Sequence, residues 1–184
     1  IFCLNGLVGN IDVPGGILYQ ENPKYRELPH PVEDDIARRG KKDARIDFRG
    51  TDKFPAAEDV TNQIPESLLQ GVPYPVEMAI GFNSNFNMVA PATERWDKAL
   101  KKLPFYVHIS PFISEMALYA DLFLPSTTYL EEWGYDHSPP GSGFAEATIK
   151  QPVVKPLGEA RAIIDIVFEI SKGLEGGPPR SFAN

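Results

Sequence analysis

The short apolar run at residues 122–124 constrains the fold of this chain more than any other feature. The run is Leu-Phe-Leu, follows directly on Asp121 and is ended by Pro125. A continuous apolar run closed by a breaker is typical of a strand buried on both faces, as in parallel sheets. The residues after such a strand lie at the carboxyl edge of the sheet, where open α/β folds bind ligands. The run therefore predicts an α/β fold with a ligand-binding edge.

Further strands and helices alternate before and after this run. Strands are predicted at residues 76–82 and 105–109, with an amphipathic helix near residues 92–103 between them and a last helix at residues 159–174. The stripe of the last helix that is expected to face the core comprises Ile163, Ile164, Val167, Phe168, Ser171 and Leu174. Alternating strands and helices are typical of right-handed parallel crossovers. We therefore expect an α/β fold with an open, mostly parallel sheet and flanking helices, in a Rossmann-like three-layer arrangement.

The domain organisation follows from where the regular patterns stop. Residues 1–18 are predicted to be the end of a helix and a turn, and residues 19–60 a long irregular polar excursion. Residues 61–176 form the predicted α/β domain, and residues 177–184 a frayed tail. The Pro and Gly residues within 134–143 predict a loop. Because the chain opens abruptly and without Met, we expect a segment of a longer polypeptide.

The composition argues against several classes of function. Lys and Arg total 18 against 25 Asp and Glu, so the net charge is -7. This balance argues against a nucleic-acid backbone or an anionic membrane surface as partner. Cys3 is the only cysteine and the histidines lie far apart in sequence, so neither a disulfide nor a zinc site is expected. No apolar run approaches the ~18 residues of a membrane span, and no direct membrane insertion is predicted.

Polar side chains follow each of the three predicted strands. Residues 83–87, 110–114 and 126–132 are rich in Asn, Ser and Thr, neutral groups suited to a purine edge, ribose hydroxyls or a phosphate. Helices that start after the first two of these loops are expected to add free backbone N–H groups for an anion. The alternative left open is that these side chains only cap helices and form turns.

No catalytic centre is predicted within this segment. The chain has no P-loop, no dinucleotide-binding glycine fingerprint and no nucleophile elbow. Asp121 is expected to accept hydrogen bonds from nearby backbone N–H groups, since no matched carboxylate with an opposed pKa accompanies it. His108 is predicted to lie within a strand and to be packed rather than catalytic. The segment alone is therefore not expected to turn over a substrate.

Several short motifs follow one another in a fixed order. They are LNGLVGNIDVPGG at residues 4–16, GVPYP at 71–75, SPF at 110–112, ADLFLP at 120–125 and GEAR at 158–161. Together they resemble the molybdopterin oxidoreductases of the dimethyl sulfoxide reductase type. The stretches TYLEEW at 128–133 and QPVV at 151–154 look most like the polysulfide, thiosulfate and quinone-linked branch of that family.

The resemblance implies a site for the guanosine and phosphate end of a molybdopterin guanine dinucleotide. The resemblance further implies that this cofactor carries Mo or W in the full-length parent and that a 4Fe–4S cluster lies outside this segment. The positions that match cofactor-binding positions of the family are Asn83, Asn85, Ile109, Ser110, Glu132 and Asp165. The sequence departs from the family pattern where Phe86 replaces a Pro, where Ser110 replaces the Asp of many members, and where Glu132 replaces a Lys of some members.

The resemblance also implies what the whole protein does. This chain is expected to be part of a catalytic subunit that reduces or oxidises a small inorganic, sulfur-type substrate or transfers electrons. Its implied partners are the remainder of that subunit together with iron–sulfur and membrane subunits of a membrane-associated complex. Two alternatives remain open: a metal-free homologous scaffold or electron-transfer subunit of a respiratory complex, and an unrelated nucleotide-binding α/β module.

Overall fold

The computed structural model describes most of the chain, at residues 2–18, 23–27, 33–137 and 144–173. The fold divides into two compact units. The first unit comprises Ile1–His30 and Thr128–Pro156, and the second comprises Pro31–Thr127 and Leu157–Asn184. The predicted domain boundaries at residues 18, 60 and 176 stay a prediction.

The second unit is built on a three-stranded parallel sheet. Its strands are β1 (Met78–Phe82), β2 (Phe105–Ser110) and β3 (Leu122–Pro125), adjacent to one another in that order. A further parallel bridge pairs Ser126 with Arg161 and continues the sheet beyond β3. The open parallel α/β sheet expected from the sequence is therefore confirmed.

Helices lie before, between and after these strands. In chain order they are α1 (Phe2–Leu7), α2 (Asp35–Gly40), α3 (Ile64–Gln70), α4 (Phe86–Val89), α5 (Thr93–Lys102) and α6 (Ile163–Gly173). Two 3₁₀ turns, Thr61–Gln63 and Met116–Tyr119, precede α3 and β3 respectively. Lys101 and Lys102 occupy the last turn of α5, where positive charge is favourable to the helix dipole.

The side chains of β2 alternate between two cores. Tyr106 packs with Leu100 of α5 and with Met116 on one face of the sheet. Val107 and Ile109 pack with Ile166 of α6 on the other face. Helices therefore cover both faces of β2, which is the three-layer arrangement predicted. Each fully buried apolar side chain contributes about 1.5–3 kcal/mol to folding.

The face that α6 presents to the sheet agrees with the predicted stripe at Ile163, which packs partly buried against this core, and differs from it elsewhere. Ile166 is buried against Val107 and Ile109, whereas Ile164, Val167 and Phe168 of the predicted stripe are 64%, 53% and 42% exposed. The physical reason is that α6 carries large apolar side chains on nearly every side, so its periodicity does not select one face.

Strand β3 is also less buried than the apolar run predicts. Leu122 is 45% exposed, and the following three residues are only partly buried. Asp121, just before this strand, makes two hydrogen bonds to Tyr106 of β2. The N–H of Asp121 donates to the Tyr106 carbonyl at 2.8 Å, and the Asp121 carboxylate accepts the Tyr106 N–H at 2.7 Å. The structural role expected for Asp121 is confirmed.

A buried carboxylate organises the later part of the predicted excursion at residues 19–60. Asp47 is buried and accepts hydrogen bonds from the N–H groups of Arg49 and Val60. The Arg45 guanidinium adds two bonds to its oxygens, at 3.0 and 2.9 Å. Helix α2, which the sequence analysis did not predict, also lies in this stretch. The excursion therefore has more local structure than its polar composition indicates.

The first unit contains α1 and a two-stranded antiparallel sheet. Gly9 follows α1 with the left-handed φ of 68° that ends many helices. Strands β4 (Gly134–His137) and β5 (Ala147–Lys150) pair so that Tyr135 lies opposite Ile149. The loop predicted at residues 134–143 is thus wrong for its first four residues. The cause is that the Pro and Gly residues come after a Tyr-containing segment that can pair as a strand. Residues 138–143 of the predicted loop and the predicted tail lie outside the described residues.

None of the helices in the described ranges is long and apolar enough to cross a membrane.

Candidate functional site

The turns after β1, β2 and β3 meet at one edge of the sheet. The N–H of Asn83 donates to the Ile109 carbonyl at 3.0 Å, and the N–H of Ser126 donates to the Ser110 carbonyl at 3.2 Å. We call residues 83–85, 110–115 and 126–127 the carboxyl edge. The three loops that the sequence analysis expected to converge there do so over these residues.

Asn83 and Asn85 shape the turn after β1. Asn83 is exposed and adopts a φ of 43°, a left-handed conformation that Asn tolerates better than most residues. The Nδ2 of Asn85 donates to Oε2 of Glu115 at 2.6 Å. The Oδ1 of Asn85 is buried and has no hydrogen-bond partner among the described residues. A buried unsatisfied acceptor is costly, so Asn85 offers an unused acceptor to a ligand.

The contact with Asn85 lowers the pKa of Glu115. The hydrogen bond from Asn85 is the largest cause that lowers the pKa of the Glu115 carboxyl, and the backbone N–H of Glu115 itself lowers it further. The carboxylate is therefore held in its charged form and ties the loop after β2 to the turn after β1.

Ser110 and Ser126 are the buried hydroxyls of the carboxyl edge. The Oγ of Ser110 accepts the N–H of Phe112 at 3.2 Å. Ser126 is only 4% exposed, and its Oγ has no hydrogen-bond partner in the part of the chain that the structure describes. The sequence analysis did not select Ser126 as a binding residue. Its place directly after β3, equivalent to that of Asn83 after β1, was the available signal.

The remaining predicted site residues are placed differently. Ile109 is 1% exposed and its side chain packs in the core with Val107, so only its main chain lies at the edge. Asp165 is exposed in the first turn of α6, which begins two residues after Arg161. Glu132 belongs to the first unit. The sheet therefore brings together Asn83, Asn85, Ile109 and Ser110, with Asp165 at the start of the helix that follows.

Backbone N–H groups are scarcer at the edge than predicted. Helix α4 has only four residues, and the N–H of Phe86 is directed at the Met116 sulfur at 3.1 Å. After β2 the chain forms a 3₁₀ turn instead of an α-helix. Side chains, more than helix N-termini, therefore supply the hydrogen-bonding groups after β1 and β2.

His108 lies inside the sheet and not at its edge. It has no exposed surface, and burial lowers the pKa of its imidazole. The prediction that His108 is packed is confirmed.

The chain was compared with known proteins, and residues 6–173 match the family described as molybdopterin oxidoreductase. The chain belongs to this family. Over 173 residues it is 38% identical to the molybdopterin-containing subunit ArrA of the arsenate respiratory reductase of Chrysiogenes arsenatis. Over 187 residues it is 35% identical to the molybdopterin-containing subunit PhsA of the thiosulfate reductase of Salmonella typhimurium.

These matches cover most of this chain and a small part of each relative. They span 89% and 95% of this chain but 20% and 24% of the two relatives. A solved structure, acetylene hydratase from Pelobacter acetylenicus, matches with a TM-score of 0.54 and 25% identity over 66% of this chain and 16% of that one. The chain therefore spans about a fifth of the length of the curated relatives it matches.

Family membership implies a molybdopterin cofactor. The described residues of the carboxyl edge offer two buried acceptors without a partner, Oδ1 of Asn85 and Oγ of Ser126. Neutral amide and hydroxyl groups of this kind bind the polar organic portion of a cofactor. The residues present therefore fit the organic portion of a molybdopterin cofactor.

Proposed function

We propose that this chain is part of the catalytic subunit of a molybdopterin oxidoreductase and holds the guanosine and phosphate end of a molybdopterin guanine dinucleotide at its carboxyl edge. The observation that carries this proposal is that the turns after three adjacent strands meet at one edge, which includes two buried oxygens, Oδ1 of Asn85 and Oγ of Ser126, without a partner among the described residues. Ligands of open α/β sheets bind at this edge.

Each residue of the edge has a chemical role in this proposal. The Oδ1 of Asn85 would accept an N–H of guanine or a ribose hydroxyl, and Asn83 and Ser110 would add neutral donors and acceptors. The Asp165 carboxylate would accept the N–H donors of the guanine edge. Ile109 would contribute through its main chain, and the role of Glu132 in cofactor binding stays a prediction.

The cofactor, when bound, supplies the redox chemistry of its Mo or W centre, while this chain supplies binding and orientation. The proposed role of the described residues is to hold the nucleotide end and keep water from its polar atoms. We propose that the 4Fe–4S cluster belongs to other parts of the whole protein.

Calorimetric titration of the chain with GMP tests the assigned edge. The double variant Asn85→Ala, Ser110→Ala removes a buried hydroxyl and an acceptor that no described residue occupies, and we expect GMP affinity to fall by about tenfold. The matched control is Asn62→Ala, Ser171→Ala, which removes the same two residue types outside the three loops and leaves affinity unchanged. Equal GMP affinity of the edge variant and wild type would reject the site.

We further propose that the whole protein reduces a small inorganic sulfur or arsenic oxyanion. The names of the relatives support this class, since one is an arsenate reductase subunit and another a thiosulfate reductase subunit. Iron–sulfur and membrane subunits are the proposed partners that deliver electrons.

The substrate class is tested on the purified full-length protein with a reduced viologen as electron donor. Oxidation of the dye on addition of arsenate, thiosulfate or tetrathionate, together with Mo or W found by metal analysis, supports the proposal. An intact complex without either metal would overturn it in favour of a metal-free electron-transfer subunit.

A further inference from the structure

The buried imidazole of His108 joins the core of the sheet to the loop after β2. Its Nδ1 lies 2.7 Å from the Tyr106 hydroxyl, and its Nε2 lies 3.4 Å from Oγ of Ser114. The ring also stacks on Phe123 of β3, with 6.1 Å between ring centroids. His108 thus connects the buried hydroxyl of Tyr106 with the hydroxyl of Ser114 at the carboxyl edge.

A neutral imidazole can satisfy both of these contacts with a single ring proton. It has one donor and one acceptor nitrogen, and a hydroxyl can serve as either partner. The chain of bonds can run from Tyr106 through the ring to Ser114 or in the reverse direction, according to the tautomer. Apolar side chains of similar volume fill the same space but make neither bond.

The neighbouring residues leave Tyr106 little room to move. Its hydroxyl lies against Gly81 of β1, where a Cβ would overlap it. Tyr106 itself is 2% exposed and belongs to the core with Leu100. The tyrosine therefore provides a fixed point against which the imidazole can hold Ser114.

Ser114 links His108 to the residues of the proposed binding site. Its carbonyl accepts the N–H of Ala117 at 3.0 Å at the start of the 3₁₀ turn. The next residue, Glu115, holds the Nδ2 of Asn85 at 2.6 Å. Two side-chain hydrogen bonds and one peptide link therefore separate His108 from Asn85, whose Oδ1 has no partner within the part of the chain that the structure describes.

We propose that His108 is a positioning residue of the carboxyl edge, which holds Ser114 to the Tyr106 hydroxyl and thereby fixes Glu115 and Asn85. The binding part of this inference rests on the proposed guanosine site. Its geometric part concerns only how firmly the turn after β1 and the loop after β2 are held in place, and it is independent of any ligand.

The test combines side-chain NMR of Asn85 with GMP titration of the full chain. Ser114→Ala removes the loop contact without changing the core, and His108→Leu removes both ring contacts. We expect both variants to shift the Asn85 amide resonances and to weaken GMP binding by about fivefold, the effect of one hydrogen bond. His108→Gln keeps one donor and one acceptor and is expected to restore much of both signals.

Phe123→Leu is the matched control, because it loosens the packing of the same ring and leaves its hydrogen-bonding nitrogens unchanged. We expect a lower melting temperature with unshifted Asn85 resonances. The inference is overturned if Ser114→Ala leaves those resonances at their wild-type positions, or if Phe123→Leu moves them equally. Should the wild type not bind GMP while Ser114→Ala still shifts Asn85, the guanosine site fails and the positioning role stands.

Discussion

The side-chain amide of Asn85 donates to the Glu115 carboxylate across 2.6 Å and joins the turn after β1 to the loop after β2. The two residues are 30 positions apart in the chain, so this bond forms only when the parallel sheet has brought the strand ends together. It uses one of the two N–H donors of the Asn85 amide, while the amide oxygen is buried and has no partner among the described residues. The pair thus orients the amide and leaves its oxygen for a ligand.

Loss of this bond is expected to raise the pKa of Glu115. In the folded protein the Asn85 amide holds the pKa of the Glu115 carboxyl below its usual 4.5. A lowered carboxyl pKa stabilises the fold above the ordinary value, and this contribution is lost as the pH falls through the folded pKa. We expect Asn85→Ala to move the Glu115 pKa towards 4.5, measured from its side-chain carboxyl carbon by NMR. Asn62→Ala is the control, and an unmoved pKa in Asn85→Ala would contradict the prediction.

Acidification is expected to destabilise the second unit through His108. Burial holds the pKa of the His108 imidazole below its ordinary 6.5. As the pH falls, this imidazole therefore binds a proton at a higher pH in the unfolded chain than in the folded one. The free energy of unfolding should therefore decrease as the pH falls from 6.5 through the folded pKa.

Urea unfolding of wild type and His108→Gln from about pH 8 to about pH 5 measures this contribution. We expect it to be absent from the variant. The Tyr106 and Ser114 hydroxyls bond to the ring, while the Asp121 carboxylate bonds to the Tyr106 N–H and Glu115 follows Ser114 in the loop. Parallel pH curves for the two proteins would show that His108 does not account for the dependence.

Replacement of Asp47 is expected to unfold the segment between α2 and α3 first. Burial alone would raise the pKa of Asp47, but the Arg49 N–H, the Arg45 guanidinium and the Val60 N–H together lower it. Asp47→Ala leaves the Arg49 and Val60 N–H groups without this acceptor, whereas Arg45 keeps its contact with Asp59, and the change should cost about 2 kcal/mol. Hydrogen exchange should speed up at Arg49 and Val60. Asp43→Ala, at an exposed position, is the control, and equal exchange in both variants would refute the role of Asp47.

A methyl group at Gly81 is expected to strain the core. The added Cβ of Gly81→Ala would overlap the Tyr106 hydroxyl, and overpacking of this kind costs about 1–3 kcal/mol. Tyr106→Phe in the same chain should relieve part of that cost, which a double-mutant cycle of urea unfolding measures. Gly40→Ala, with no atom near its Cβ, serves as the control. Strictly additive effects at Gly81 and Tyr106 would contradict this packing account.

The sheet could be predicted from the sequence because each of its strands ends at a local signal. Pro125 closes β3, Pro111 follows β2, and Asn83 to Asn85 follow β1. Local periodicity also located α5, where polar residues face away from Trp96, Ala99 and Leu100. Periodicity could not predict which face of α6 packs on the sheet, because the helix carries apolar side chains on nearly every side. Ile166 is buried because its side of the helix is the one that contacts the sheet.

The contacts of the candidate site were less predictable than its location. That polar turns would gather at one edge follows from parallel strands alone. That Glu115 would engage Asn85, or that His108 would bridge Tyr106 and Ser114, depends on side-chain positions that no local pattern encodes. Strand β4 was missed for a related reason, because its partner β5 is the cause of its extended form.

The chain leaves the second unit after Thr127 and returns to it at Leu157. Close to these two points, the N–H of Thr127 donates to the Arg161 carbonyl and the N–H of Arg161 donates to the Pro125 carbonyl. Because the exit and the return of residues 128–156 lie side by side, a longer or shorter connection between them adds only a slowly growing entropic penalty. Length variation among relatives should therefore be tolerated within residues 128–156, outside β4, β5 and the proposed binding residue Glu132.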